Sequence, residues 1–245
     1  YNDVKNKSKG GKNMRKHYID NIRWMTVVLV VIYHVIYMYN GVVKASVAGP
    51  FQEVQYQDAV QYILYPWFMV LLFIVSGMCA RYYLEKHTDR EFVRSRTRKL
   101  LVPSTIGLFV FQWIQGYFNM AFSNAFDTMP SQMPGVVRYL IMVVSGTGVL
   151  WYIQVLWIVS MLLLVVRKLE KDRLYHIGGK INILGLILLV IPVWGAAQIL
   201  NAPVICVYRF GIYGCCFLLG YYVFSHEEVT DRLKKWCIPL AATAI

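Results

Sequence analysis

The stretch IDNIRWMTVVLVVIYHVIYMY, residues Ile19–Tyr39, decides the fold class of this chain. After Arg23 it is almost entirely apolar, and one histidine, His34, interrupts it. A helix needs ~20 mostly apolar residues to cross the ~30 Å hydrocarbon core of a bilayer. The stretch approaches that length and lacks the small-residue cleavage pattern of a removable signal peptide. It therefore predicts a transmembrane helix that stays in the mature protein.

The composition of the whole chain points to the same class. Hydrophobic residues make up 58% and aromatic residues 15% of the 245 residues, and the mean hydropathy is +0.47. An ordinary soluble domain carries fewer apolar residues than this. The 25 Lys and Arg residues exceed the 13 Asp and Glu residues and give a net charge of +12. In a membrane protein such an excess sets helix orientation, so the predicted partner is the lipid bilayer and not a nucleic acid.

Further apolar runs approach the length of a membrane span. Together with Trp24–Tyr39 they are Tyr62–Ala80, Leu100–Phe122, Val149–Val166, Ile181–Leu200 and Val204–Phe224. A last run, Trp236–Ile245, is too short to span, so we expect the chain to stop within a helix. Lipid offers no hydrogen-bond partner to backbone amides, and the runs lack the two-residue alternation of barrel strands. The predicted fold class is all-α, a polytopic transmembrane helical bundle with six complete helices and a truncated seventh.

The charges between the apolar runs alternate in density along the chain. Residues 12–23, 81–99, 167–180 and 232–235 are rich in Lys and Arg, whereas residues 41–61, 123–148 and 201–203 carry few charges or none. Because short cytoplasmic loops collect Lys and Arg, the basic segments are predicted to share one side of the membrane, with a cytoplasmic amino terminus. Residues 1–18 are expected to be a disordered basic segment and residues 19–245 a transmembrane domain.

Arg23 and His34 are predicted to lie on the same face of the first helix. His34 follows Arg23 by eleven residues, which at about 100° and 1.5 Å per residue is three turns plus about 20° and a rise of ~16 Å. Asp20 precedes Arg23 by three residues and is placed to pair with or orient the guanidinium. An ionisable side chain at membrane depth is costly in lipid and has to face protein or water. His34 is therefore either a neutral histidine that bonds a neighbouring helix or a functional group, and the spacing alone does not decide.

Five segments carry a resemblance to a known family and occur in that family's order. They are IDNIRWMTVVLVVIYH, in which ten residues separate an arginine and a histidine, LFIVSG (72–77), FVRSRTRKLLVP (92–103), GVLWYIQVL (148–156) and FLLGYYV (217–223). This pattern resembles the membrane-bound acyltransferase-3 family over residues 19–224. The resemblance is specific to the family and not to a substrate.

The chain departs from the family pattern at three points. The Arg-x-x-Arg motif of the basic loop aligns with Arg96 to Lys99 and ends in lysine, so a point charge replaces a planar, bidentate group. The residue before the Leu-Trp pair is often histidine in the family and is Val149 here. Family members commonly have about ten helices, so a carboxyl-terminal portion is expected to be missing.

The resemblance implies an O-acyltransferase of the inner (plasma) membrane. It implies transfer of an acyl group, usually acetyl, from cytoplasmic acyl-CoA to a hydroxyl of a cell-surface or exported glycan or a related acceptor. No tightly bound cofactor is expected, and the sequence shows no metal-binding spacing of Cys or His residues. His34 would act as the general base or as a covalent acyl relay, and both roles need a neutral imidazole. Arg23 would hold the thioester end or a phosphate of the donor.

Further residues are candidates for binding the acyl donor or the acceptor. The donor-binding candidates are Arg96, Arg98 and Lys99. The possible acceptor-binding candidates are Gln112, Gln115, Trp151 and Arg209. For the basic loop, membrane topology alone is a sufficient explanation of the charge. For the glutamines and the tryptophan, contacts between helices are the simpler explanation.

Two other classes of function stay open at this stage. A membrane transporter or channel would use a buried arginine and histidine along a proton or solute path. A noncatalytic membrane scaffold would keep the bundle without the chemistry. The sequence shows no pair of broken helices of the kind that transporters use, and the intact Arg23 and His34 spacing argues against a scaffold. The oligomeric state is not specified by these residues.

Overall fold

A computed structural model describes residues 17–38, 58–130, 132–199 and 209–244. Within these ranges the regular secondary structure is entirely helical, which confirms the all-α class. Most of the predicted amino-terminal segment, the loop after the first helix and residues 201–208 lie outside the described residues.

Within the described ranges, three helices are long and apolar enough to cross a membrane. They cover His17–Tyr37, Ala59–Leu84 and Gly148–Glu170. The first corresponds to α1 (His17–Met38), the second to α2 (Asp58–Leu64) followed by α3 (Phe68–Leu84), and the third contains α8 (Trp151–Glu170). These spans support a membrane protein, whereas the number of six complete spans and the side of the amino terminus stay predictions.

The predicted run Leu100–Phe122 is helical but not uniform. It contains α5 (Val102–Gly107) and α6 (Trp113–Phe122), and α4 (Asp89–Arg96) precedes it. Two π-helical turns, Thr97–Leu101 and Leu108–Gln112, join these helices. Pro103 has no backbone N–H and cannot donate to the carbonyl four residues earlier, which is a physical reason for irregular winding just before α5.

The interval 123–148 was predicted as a loop, and this prediction is wrong for α7 (Gly135–Ser145). The apolar run of α7 is only 11 residues long, so it did not reach the length of a membrane span. It packs against α6 at close range. A Cβ added at Gly116 would lie 1.7 Å from the carbonyl oxygen of Met142, so only glycine allows this approach.

The remaining helices follow α8 in a series of shorter elements. They are α9 (Arg173–Gly178), α10 (Ile183–Leu188), α11 (Val190–Gln198), α12 (Phe210–Leu219), α13 (Glu227–Lys235) and α14 (Cys237–Ala244), with a π-helical turn at Gly220–Phe224 after α12. The helices α10 and α11 occupy the predicted run Ile181–Leu200, and α14 occupies the last predicted run.

The crossing of α3 and α12 forms the centre of the core. Phe73 and Phe217 are fully buried there. A Cβ at Gly77 would lie 2.0 Å from the carbonyl oxygen of Phe217, and a Cβ at Gly220 would lie 2.0 Å from that of Ile74. The two glycines therefore let the backbones touch, as small residues do between membrane helices.

The basic segments that the sequence assigns to one side meet at one end of the bundle. Arg81 Nη1 lies 3.1 Å from Asp172 Oδ1, and Arg167 Nη1 lies 2.6 Å from Asp89 Oδ1. Arg232 donates to the carbonyl oxygen of Gly179 at 3.3 Å. We call this end the basic end. These contacts agree with a shared side for the segments.

Candidate active site

A cavity of about 410 Å³ at the basic end brings together side chains from four parts of the chain. Arg23 comes from α1, Arg96 from the last turn of α4, and Lys99 from the π-helical turn that follows. We call it the cationic cavity. Its full lining is Arg23, Ser76, Cys79, Tyr83, Phe92, Ser95, Arg96, Lys99, Leu100, Tyr152 and Leu156.

The charge of the cationic cavity is one-sided. Three cationic side chains line it, and among the described residues no Asp or Glu does. Arg96 is half-buried, whereas Arg23 and Lys99 are exposed. Burial lowers the pKa of the Arg96 guanidinium from its ordinary value. An arginine nevertheless stays protonated in proteins, so an anionic group in this cavity would offset the cost of the buried charge.

Uncharged polar groups from α3 and α8 form another wall of the cationic cavity. The hydroxyls of Ser76 and Tyr152 lie 3.4 Å apart, and Arg23 is within hydrogen-bond reach of the Cys79 thiol. Ser76, Cys79 and Tyr83 follow at intervals of three and four residues, so they share one face of α3. Neither Ser76 nor Cys79 was among the predicted site residues, although their spacing within an apolar helix was a usable signal.

The helical phase of the basic loop decides which of its cations reach the cavity. Phe92, Arg96 and Lys99 lie on one face of the helical segment, whereas Arg98 is exposed and does not line the cavity. A capping box of Thr88 and Glu91 fixes the start of α4, with Glu91 N donating to Thr88 Oγ1 at 3.3 Å. The structure therefore brings two of the three donor-binding candidates to the site.

Contacts of the basic loop with α8 and with an aromatic ring hold it in place. Trp157 Nε1 of α8 donates to Thr97 Oγ1 at 3.1 Å. The Arg96 guanidinium carbon lies 5.1 Å from the centre of the Phe92 ring, which is a cation–π distance. These contacts hold the loop that carries Arg96, and no described Asp or Glu lines the cavity beside it.

His34 lies outside the cationic cavity, three turns further along α1 than Arg23. Its ring is half-buried and meets Tyr33 edge-on at a centroid distance of 5.4 Å. His34 Nδ1 lies 2.7 Å from the carbonyl oxygen of Val30. A carbonyl only accepts, so Nδ1 carries the proton in this contact, and in a neutral imidazole the lone pair is then on Nε2. Of the two residues, only Arg23 lines the cationic cavity in the part of the chain that the structure describes.

Asp20 lines a second, wider cavity of about 810 Å³ beside the first. The two share Cys79 and Tyr83. We call it the wide cavity. Its full lining is Ile19, Asp20, Cys79, Tyr82, Tyr83, Glu85, Lys86, His87, Tyr175, Ser225, His226, Glu227 and Glu228. The orienting role of Asp20 towards Arg23 stays a prediction.

Two of the acceptor candidates, Gln112 and Gln115, lie at contacts with the segment that follows α7. A Cβ at Gly146 would lie 1.9 Å from the carbonyl oxygen of Gln112. A Cβ at Gly148 would lie 2.6 Å from Gln115 Oε1. Asn119, one turn further, donates to the carbonyl oxygen of Ser145 at 3.1 Å. This polar stripe therefore lies against the end of α7, as expected for contacts between helices.

The other two acceptor candidates lie against aromatic rings. Trp151 packs on Tyr213 at a centroid distance of 5.2 Å. The Arg209 guanidinium carbon lies 5.5 Å from the centre of the Tyr65 ring, which in turn stacks on Tyr33 at 5.9 Å. Through Tyr33, Arg209 belongs to the same aromatic cluster as His34. Neither residue lines the cationic or the wide cavity.

Comparison with known proteins assigns the chain to a family. A family model described as an acyltransferase domain matches residues 16–245, nearly the whole chain. The chain belongs to the acyltransferase-3 family. No curated protein and no solved structure matches it. Membership of the acyltransferase-3 family supports an acyltransferase activity, and the apolar helices support a location in a membrane.

Proposed function

We propose that this acyltransferase-3 protein moves an acyl group, most simply acetyl, from acyl-CoA to a hydroxyl of a cell-surface or exported glycan or a related acceptor. One observation carries the donor half of this proposal. Arg23, Arg96 and Lys99 line one cavity in which no described residue contributes a carboxylate. A CoA thioester carries several phosphate charges, and charge-assisted bonds from arginine are the strong ones for such groups.

The proposed location is the inner (plasma) membrane, with the amino terminus and the basic end in the cytoplasm. The contacts among the basic segments support a shared side, and the enrichment of Lys and Arg supports the cytoplasmic one. The cationic cavity then opens where acyl-CoA is present. The proposed partners are therefore acyl-CoA, the hydroxyl acceptor and the lipid bilayer.

His34 is the proposed reacting side chain on the protein. Its Nδ1 contact with Val30 leaves the Nε2 lone pair to accept the proton of the acceptor hydroxyl as the hydroxyl oxygen attacks the thioester carbonyl. The new ester bond forms, the C–S bond breaks, and the CoA thiolate takes up a proton. In the relay alternative, Nε2 attacks the thioester carbonyl, the C–S bond breaks and the CoA thiolate leaves. The acceptor hydroxyl then takes the acyl group from Nε2, and its proton passes to the thiolate.

The distance between Arg23 and His34 constrains the donor's orientation. They are separated by ~16 Å along α1. In the proposed arrangement the phosphates stay at the cationic cavity, and the acyl end extends along α1 towards His34. An acceptor that approaches from the opposite side of the membrane would then meet the acyl group at His34, near Tyr33, Tyr65 and Arg209.

Release of CoA from labelled acetyl-CoA by the detergent-purified full-length protein tests the proposal. We expect acetyl-CoA binding, together with CoA release that increases when pooled cell-envelope glycans are added. A transporter, a channel or a noncatalytic scaffold predicts neither acyl transfer nor CoA release. Absence of both binding and release in protein that is monodisperse and folded would refute the proposed function.

A further inference from the structure

The wide cavity adjoins the cationic cavity but differs from it in chemistry. Cys79 and Tyr83 line both, so the two spaces meet along α3. The wide cavity is about twice as large, at about 810 Å³ against about 410 Å³. A ligand too long for one cavity would reach the other beside the shared Tyr83 side chain.

Two pairs of stacked flat rings line the wide cavity. Tyr83 and His87 stack with centroids 4.0 Å apart and planes at 12°. Tyr175 and His226 stack with centroids 3.9 Å apart and planes at 27°. Each histidine also contacts the backbone of its tyrosine partner: His87 Nδ1 lies 3.1 Å from the Tyr83 carbonyl oxygen, and His226 Nε2 lies 2.9 Å from that of Tyr175. Paired aromatic surfaces of this kind suit a planar heteroaromatic ring.

A cation packs against the tyrosine of the second Tyr–His pair. The Arg81 guanidinium carbon lies 3.5 Å from the centre of the Tyr175 ring, and Arg81 also pairs with Glu85 at 3.0 Å. Tyr82 on the same wall donates to the carbonyl oxygen of Ser225 at 3.0 Å. The Tyr82 contact joins the α3 wall of the cavity to the residue that follows the π-helical turn Gly220–Phe224, which lowers the cost of ordering this wall around a ligand.

The charge of the wide cavity is opposite to that of its neighbour. Its lining contains four carboxylates against one lysine, namely Asp20, Glu85, Glu227 and Glu228 against Lys86. Among the described residues no group of three or more His, Cys, Asp and Glu side chains is arranged to hold a metal ion. Such a surface disfavours phosphate and favours an uncharged group that donates hydrogen bonds.

We propose that the wide cavity binds the adenine base of the acyl-CoA donor. This inference rests on the proposed function, because it assigns the part of the same donor that the cationic cavity does not take. Adenine is planar and uncharged, and its exocyclic amino group donates to carboxylates. With the base stacked on an aromatic pair of the wide cavity, the phosphates lie towards the shared residues Cys79 and Tyr83 and reach Arg23, Arg96 and Lys99.

Photo-crosslinking with an azidoadenine analogue of CoA tests the location directly. The detergent-purified full-length protein is irradiated with the analogue, digested, and mapped by mass spectrometry. We expect labelled peptides that contain residues 82–87, 175 or 225–228, and we expect excess unlabelled acetyl-CoA to suppress the labelling. Competable labelling confined to any other segment would overturn the inference while leaving acyl-CoA binding, and hence the proposed function, intact.

A matched pair of histidine variants provides an independent measurement. His87 is exposed and lines the wide cavity, whereas His176 is exposed and lines neither cavity. We expect His87→Ala to weaken acetyl-CoA binding by about fivefold or more, because the least effect seen for loss of a base-stacking side chain is about fivefold in affinity. We expect His176→Ala to leave acetyl-CoA binding unchanged. Acetyl-pantetheine lacks the nucleotide, so its binding should not respond to His87→Ala.

Failure of the proposed function and failure of the adenine assignment give different experimental results. If the wild-type protein binds no acetyl-CoA, the proposed function fails and this inference fails with it. If the wild-type protein binds acetyl-CoA but His87→Ala weakens acetyl-CoA and acetyl-pantetheine equally, or weakens neither, only the adenine assignment is overturned.

Discussion

Replacing Arg96 by Gln removes the most buried cation of the cationic cavity and keeps a polar side chain in its place. Arg96 is half-buried and its pKa is lowered by burial, with no carboxylate from the described residues in the cavity lining. If the donor's phosphates compensate this charge, the variant loses a charge-assisted interaction with the donor. We therefore expect Arg96→Gln to weaken donor binding much more than any change at an exposed cation of the same loop.

The structure sets the size of the expected effect. A hydrogen bond to a charged group contributes about 1.5–3 kcal/mol, which corresponds to about a 10- to 150-fold loss of affinity. Lys99 lines the cavity but is exposed, so Lys99→Gln should cost only about 0.2–1 kcal/mol, or at most about fivefold. Arg98 is exposed and outside the cavity, so Arg98→Gln should have no measurable effect. The expected order of donor affinity loss is therefore Arg96, then Lys99, then Arg98.

The assay combines equilibrium binding of labelled acetyl-CoA with steady-state CoA release. Arg96→Gln should raise KM for acyl-CoA more than it lowers kcat, as expected for lost ground-state binding, and added salt should weaken wild-type binding. Neutralising Lys171 and Arg173 together, two exposed cations of another basic loop, controls for the general charge of the basic end. Equal effects of Arg96→Gln and Arg98→Gln, or of Arg96→Gln and this control pair, would refute a specific donor site in the cavity.

Three further substitutions test the reaction and the fold. His34→Ala and His34→Asn should both abolish acyl transfer while the protein still inserts into the membrane normally. Asn can donate to the Val30 carbonyl as His34 does, but it cannot act as a base. Acyl transfer by His34→Asn, or loss of membrane insertion by both variants, would make His34 a structural residue. Arg23→Lys should retain less activity than wild type, because an ammonium does not reproduce the planar guanidinium, and Arg23→Ala should retain almost none. Full activity of Arg23→Ala would exclude a role of Arg23 in donor positioning. Gly77→Ala should destabilise the protein by about 3 kcal/mol or more in a detergent thermal melt, because its Cβ would lie 2.0 Å from a backbone oxygen. Gly214→Ala is the control, since its Cβ meets only a Val159 methyl group at 3.6 Å, and a lower melting temperature for both variants would contradict the close-contact explanation.

The helical class could be read from the sequence because it depends on local properties. Long apolar runs, such as those around α1 and α8, report the length of a membrane span directly. The helix α7 was missed because its 11 residues are too short for that criterion. What holds α7 in place is its contact with α6 through Gly116, and contacts between distant residues are not visible in a hydropathy pattern.

The candidate site was predictable only in part, for a similar reason. Net charge identified residues 81–99 as basic but could not separate cations that face solvent from those that face a cavity. The separation follows from helical phase. Arg96 and Lys99 are three residues apart and share a face, whereas Arg98 is two residues from Arg96 and points elsewhere. Arg90, Arg94 and Arg98, which follow one another at intervals of four residues, do not line the cationic cavity.

The contact between α3 and α12 connects the fold to the site. Gly77 in LFIVSG packs on the α12 backbone, and the preceding residue, Ser76, lines the cationic cavity next to Tyr152. In FLLGYYV, Gly220 packs on the α3 backbone, and Tyr221 accepts a hydrogen bond from Arg81 at 3.3 Å. Because helix packing at a backbone contact has little room to shift, the crossing fixes the α3 face that lines both cavities. Two motifs about 140 residues apart in the sequence therefore act as one structural unit that sets the position of the proposed donor site.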